Sequence, residues 1–326
     1  MLKLPSKHPP KISRLIYFIP ISLLIIVAAF YLFKITSQKK QISDKKQFIG
    51  LVSSNLITSS QSLDEVVKSL DIVDSNYARA TTTESNMLQA DLSVVIGDNQ
   101  KILSQIESIK NNLDFQKELI NKAKTPEGYE DLKIDSINYY NQAELLLSNF
   151  IDDFKFENDI LKVISINNSQ NSVVKNDIWQ KQDKEKIITY YKDLKNQAVS
   201  SLKELSKIKV SQKYQNYYNL QNSYFEFISA TADEIINALQ KDETLPPAQD
   251  EPSQIEKAYQ IAFKAGDNIA NIAKQITTER AKLLPLKINR PDFVNLASIQ
   301  KPLESKIKIL NQQLYKESQK KFPINF

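Results

Sequence analysis

Apolar residues recur along most of this chain at alternating spacings of three and four, the period at which one face of an α-helix meets a neighbour. The first such run is Ile49, Val52, Leu56, Leu63, Val66, Leu70, Val73 and Tyr77, with the polar Ser59 filling a gap. The second starts at Leu88 and Leu92 and continues through Val95, Ile102, Ile106, Ile109, Leu113 and Ile120 to Ala123, with Asn99 and Gln116 as polar members. A third joins Tyr140, Ala143, Leu147, Phe150, Phe154, Leu161 and Ile164, and a fourth Ile187, Tyr191, Leu194, Ala198, Leu205 and Ile208. The fifth, from Tyr214 and Tyr217 to Leu239, slips in phase by about two residues against the fourth. A sixth runs from Ile255 to Leu283 and a seventh from Phe293 to Leu314. Each predicts an amphipathic helix with one buried seam.

The punctuation between runs agrees. Thr125-Pro126-Glu127-Gly128 closes the second helix, and the polar stretch 166–172 separates the third from the fourth. Asp242 to Pro252 is an acidic loop with three prolines, and Ser253 with Glu256 forms a capping box for the helix that follows. Pro285 ends that helix, Pro291 suits the first turn of the next, and Pro302 either kinks the last helix or delays its start. The chain has only four glycines, and no proline between Pro20 and Pro126 or between Pro126 and Pro246. A β-protein of this size needs more turn residues than that.

One run breaks the amphipathic pattern. Leu15 to Phe33 carries no charge. At 1.5 Å per residue it spans roughly 28 Å, close to the hydrocarbon thickness of about 30 Å. Tyr17 and Tyr31 lie near its ends, where amphipathic rings favour the interface. A cleavable signal peptide is the rival reading, with Val27-Ala28-Ala29 as a weak site. Phe30-Tyr31-Leu32-Phe33 continues the apolar run past that site, which favours an uncleaved anchor. Lysines and Arg14 flank both sides, so their count does not set orientation; the short amino tail and signal-like layout point to tail inside and bulk outside.

The net charge of +5 suggests nucleic-acid binding until it is divided by position. Residues 1–46 hold nine basic side chains and one Asp, leaving 34 basic and 37 acidic beyond them. The positive excess therefore belongs to the membrane flanks, where it can meet anionic head groups, and nucleic acid is not an expected partner. Lysine outnumbers arginine 39 to 4, which hints at a bacterial, AT-rich source.

Chemistry is thin. There is no cysteine, and the one histidine, His8, lies in the amino tail, so the usual metal ligands and acid–base residues are missing from the main domain. Asp64-Glu65, Asp152-Asp153, Asp233-Glu234 and Asp250-Glu251 are adjacent carboxylates that diverge by about 100° on a helix and read as solvated faces. Gly97-Asp98-Asn99 lacks the oxygen pattern of a calcium loop. In YQNYYNLQNSYFEF, residues 214–227, Tyr218, Phe225 and Phe227 leave the inward stripe; they are either covered by a second helix or form a partner surface.

The expected architecture is all-α: an amino-terminal transmembrane helix followed by an elongated up-and-down bundle of six or seven long amphipathic helices. Its parts are a basic tail (1–14), a signal anchor (15–33), a lysine-rich neck (34–46), a long-helix bundle (47–241), the acidic loop (242–252) and carboxyl-terminal helices packing on the bundle (253–326). The expected function is a single-pass extracytoplasmic scaffold or protein-interaction module of a bacterial envelope. It would hold the bilayer through 15–33 and either a protein partner or a second copy of itself, without enzymatic activity, cofactor or metal. The alternative is a helical domain that binds a peptide, glycan or small molecule.

Overall fold

A computed structural model of the chain describes residues 15–83, 89–166, 176–240 and 252–321, with side chains for 27–70, 92–166, 177–240 and 252–319. The described residues are all-helical. In chain order they form α1 (Leu15–Thr83), α2 (Gln89–Lys122), α3 (Glu130–Ile166), α4 (Asn176–Gln180), α5 (Lys184–Leu205), a 3-10 turn (Gln212–Tyr214), α6 (Gln215–Gln240), α7 (Gln254–Arg280), α8 (Pro285–Ile288) and α9 (Arg290–Lys321).

The lysine-rich neck, residues 34–46, is helical. α1 runs unbroken for 69 residues through the apolar run, the lysine-rich stretch and the first stripe. Lys and Gln are good helix formers, and nothing in 34–46 stops a helix. Among the described residues no helix is long and apolar enough to cross a membrane. The side chains of 15–26, most of the expected anchor, lie outside those described, as do the loop residues 242–251.

Other boundaries follow local chemistry. Gly128 turns the chain at φ 81°, which an L side chain adopts only with strain, and Tyr129 N–H bonds to Pro126 O at 3.1 Å. Lys133 Nζ donates to the Asn121 and Ala123 carbonyls at 2.7 and 3.2 Å, satisfying open acceptors at the end of α2. Ser253 accepts from Glu256 N–H at 3.2 Å, as the capping pattern anticipates. The phase slip between the fourth and fifth stripes is a true break: α5 ends at Leu205, and the 3-10 turn resets the register before α6. A break before α5 carried no Gly or Pro signal. There Gln182 takes φ 49°, and Asp183 caps the new helix by accepting from Lys186 N–H at 3.2 Å. α9 passes through the exposed Pro302 without ending.

The chain divides into two compact units. The first contains α1 to Ile57, the α2–α3 turn region (117–138) and α9 from Ile299. Phe48 meets Tyr129 edge to face at 6.4 Å, Lys45 pairs with Glu317 at 3.4 Å, and Lys306 pairs with Asp135 at 2.6 Å. The second contains 58–116 and 139–298. In it α5, α6 and α7 pack in sequence around Ile187, Tyr191, Leu194, Ile228, Ile235 and Leu239, and α7 contributes the small residues Ala258, Ala262 and Ala265. Phe156, Ile160 and Val163 of α3 join Leu205, Tyr214, Tyr217, Phe225 and Ile276 in a neighbouring cluster.

Two polar members of the first two stripes, Ser59 and Gln116, prove to be partners. Ser59, fully buried, donates to Gln116 Oε1 and lies 3.0 Å from the Tyr140 hydroxyl, whose pKa burial pushes up to about 12. One polar contact among apolar seams fixes the register in which three helices meet.

Candidate functional site

Three surfaces or clusters stand out. The first is apolar and exposed. On α1, Val27, Phe30, Tyr31, Leu32 and Phe33 are all 60 to 71% exposed. Four consecutive large side chains at 30–33 sweep about 300° around the helix axis, so one neighbouring helix cannot cover them. Isolated exposed apolar residues are ordinary, but a continuous collar of them is not.

The second is a buried polar knot in the second unit, which the adjacent-carboxylate reading missed. Asp152 is exposed, but Asp153 is buried. Asp153 Oδ1 accepts from Lys213 Nζ and from the Tyr214 hydroxyl, and Oδ2 accepts from Asn289 Nδ2 at 2.6 Å. Asn289 also donates to Pro285 O at 2.9 Å. One turn further along α3, buried Glu157 receives Arg280 Nη2 at 2.5 Å. A void of about 10 Å³, room for a single water, lies among these groups. Burial raises the Asp153 carboxyl above its ordinary range, against the pull of the Lys213, Tyr214 and Asn289 hydrogen bonds. Burial and the adjoining Asp153 charge raise Tyr214 far above the usual phenol value. Phe156 stacks on Tyr214 with centroids 4.1 Å apart. Both oxygens of Asp153 are thus occupied, and the knot ties α3 to the 3-10 turn and to the residue between α8 and α9.

A signal for this knot was present. The segment 145–164, LLLSNFIDDFKFENDILKVI, is apolar on nearly every side, and a helix of that kind is surrounded by others. A carboxylate within it then requires partners.

The third is an open cleft of about 490 Å³ between α4 and the start of α7. Trp179, Tyr259, Gln180, Gln182, Ser253 and Glu256 line it, and the two rings meet edge to face at 5.5 Å.

The aromatic residues suggested as a partner surface lie elsewhere. Phe225 is 1% exposed and belongs to the α3–α6 cluster. Tyr218 is half-buried against the same cluster, its hydroxyl donating to Leu205 O at 3.3 Å, and Phe227 is half-buried against the α5–α7 core. A second neighbouring element covers Phe225, whereas Phe227 lines an open groove of about 440 Å³ between α6 and α7. Gly97-Asp98-Asn99 is plain helix, with Asp98 paired to Lys101 at 3.1 Å and Asn99 buried.

Comparison of the chain with protein-family models, curated proteins and solved structures finds no match.

Proposed function

We propose that this chain is a single-pass membrane protein whose extracytoplasmic helical domain acts by contact, as a scaffold or interaction module of a bacterial envelope. The observation that carries this reading is the exposed collar of α1. Large apolar side chains point outward in every direction from residue 27 to residue 33. A surrounding apolar medium satisfies all of them at once, which a single packed helix cannot. The uncharged sequence back to Leu15 supplies the length for a bilayer. Because α1 continues without a break to Thr83, the anchor passes directly into the first packed seam, which starts at Phe48 and Ile49. The buried carboxylates act within this reading as ties between helices.

Alkaline carbonate extraction of membranes, followed by intact-mass analysis, tests it. The chain is expected in the pellet with residues 15–33 present. Release into the supernatant, or a mature chain starting at Phe30, would overturn the anchor. A carboxyl-terminal alkaline phosphatase fusion is expected to be active, and an active cytoplasmic reporter at the same position would reverse the orientation.

The Trp179 cleft favours a second reading, a ligand-binding domain, because its volume falls in the range of small-molecule sites. Trp179 is the sole tryptophan, so its emission reports on the cleft directly. A saturable change with an envelope glycan or peptide would support this alternative.

A further inference from the structure

In the first unit α1 and the turn after α2 enclose a cleft of about 400 Å³. Phe48, Leu51 and Pro126 give it an apolar lining, and Lys40, Lys124 and Asp44 bring charge to it. Lys40 and Lys124 are exposed, and neither has a hydrogen bond or ion pair among the described residues. Lysines nearby in sequence are engaged: Lys45 with Glu317 at 3.4 Å, and Lys122 with Glu118 at 2.6 Å.

Position narrows the choice of ligand. Lys40 stands seven residues beyond Phe33, about 10 Å along the helix. Side chains on a helix lean toward its amino end, so the Lys40 ammonium reaches back toward the apolar collar. Head groups occupy roughly 5–8 Å on each side of the hydrocarbon core, within that reach. Asp44 leaves the three charges at a net +1, which suits a monoanion. Asp44 also offers an acceptor to a hydroxyl on the same ligand.

We propose that this cleft holds the head group of an anionic phospholipid that carries hydroxyl groups, with Lys40 and Lys124 on the phosphate and Asp44 on a hydroxyl. The proposal deepens the membrane reading and rests on it. Lipid bound here would fix the depth and tilt of the first unit at the bilayer surface.

The test uses the full-length chain in an uncharged detergent. Its melting temperature is followed as phosphatidylglycerol, phosphatidylethanolamine, phosphatidylcholine or inorganic phosphate is added. Phosphatidylglycerol is expected to raise the midpoint by several degrees, and the others by much less. Combined Lys40→Gln and Lys124→Gln should weaken the apparent affinity at least tenfold, whereas Lys192→Gln, an exposed lysine of the second unit, should not. All three positions are at the surface, so the variants are expected to fold like the parent, which circular dichroism checks. Equal shifts with phosphatidylcholine or phosphatidylethanolamine, or undiminished binding in the double variant, would overturn the site. Inorganic phosphate reproducing the shift would overturn the lipid assignment. The two readings fail separately: a chain extracted by carbonate that still discriminates phosphatidylglycerol loses the anchor alone, and a retained chain that does not discriminate loses the cleft alone.

Discussion

Replacing Arg280 with Met leaves Glu157 as a charge inside a packed helix cluster. The pair sits at 2.5 Å, with both side chains under one-tenth exposed. At an effective dielectric near 20 their attraction is about 7 kcal/mol, while each ion has given up several kcal/mol of hydration, so the pair contributes little net stability. Removing one partner is a different matter. The void beside the pair is lined by Phe156, Leu283 and Pro285 as well as Tyr214 and Tyr217 and holds at most a single water, so the remaining carboxylate regains only a small part of its hydration. The loss is then about 3–5 kcal/mol. At roughly 2–4 °C per kcal/mol for a chain of this size, the melting temperature should fall by about 6–20 °C. The double variant Glu157→Leu with Arg280→Met removes both charges and should return to within about 1 kcal/mol of the parent. Thermal melts of the four proteins in detergent, followed by circular dichroism, complete a double-mutant cycle. A single variant within about 0.5 kcal/mol of the parent, or a double variant as unstable as the sum of the singles, would refute the reasoning.

Further outcomes follow from seams, turns and caps. Ile106 is 1% exposed and Asn111 is exposed, so Ile106→Asp should cost several kcal/mol and Asn111→Asp at most about 0.5, and equal melting temperatures would break the register. Gly128→Ala meets open space but must hold a positive φ, which should cost about 1–2 kcal/mol, with Gly128→Asn losing less; an unchanged midpoint for Ala would count against the turn. The Asp183 carboxyl is held below its usual range, first by its side-chain hydrogen bond with Lys186. A lowered folded pKa stabilises above the unfolded carboxylate value and loses that stability as pH falls through the folded one. Asp183→Ala should therefore melt lower than the parent at pH 7, and the gap should close in strong acid; a gap independent of pH would exclude the charge as its cause.

How much was legible depended on whether a segment buries one face or all of them. Where one face is buried, spacing alone was enough. The stripe Ile49, Val52, Leu56, Ser59, Leu63, Val66 and Leu70 is buried at every position, and Ile106, Ile109, Leu113 and Ile120 follow suit. α3 buries several faces, so a single stripe accounts for Phe150 and Phe154, and its vacant position between Phe154 and Leu161 for Glu157, but not for Asp153, Phe156, Ile160 or Val163. Of the knot's carboxylates only Asp153 lies off that stripe; what stayed hidden were the groups that pair with them. Asp153 and Glu157 lie 4 residues apart on one face, yet their partners Lys213, Arg280 and Asn289 come from 60 or more residues away, and no local pattern announces such pairs. The break before α5 escaped because its turn uses Gln182 at positive φ in place of glycine. In the aromatic cluster at 214–227 spacing left two readings open: Phe225, off the main stripe, is buried on a second neighbour, while Tyr218 and Phe227 stay half-buried.

The central claim is that residues 15–33 lie in a bilayer and that the helix beyond them emerges on the outer side. The chain has no cysteine, so single thiols can be introduced without background. Ile26→Cys and Ile57→Cys, the latter at a site 57% exposed, are treated in intact cells with a membrane-impermeant maleimide. The account predicts rapid labelling at position 57, and none at position 26 until the membrane is dissolved and the chain denatured. Labelling of both positions at equal rates in intact membranes, or of position 57 only after cells are opened, would contradict it.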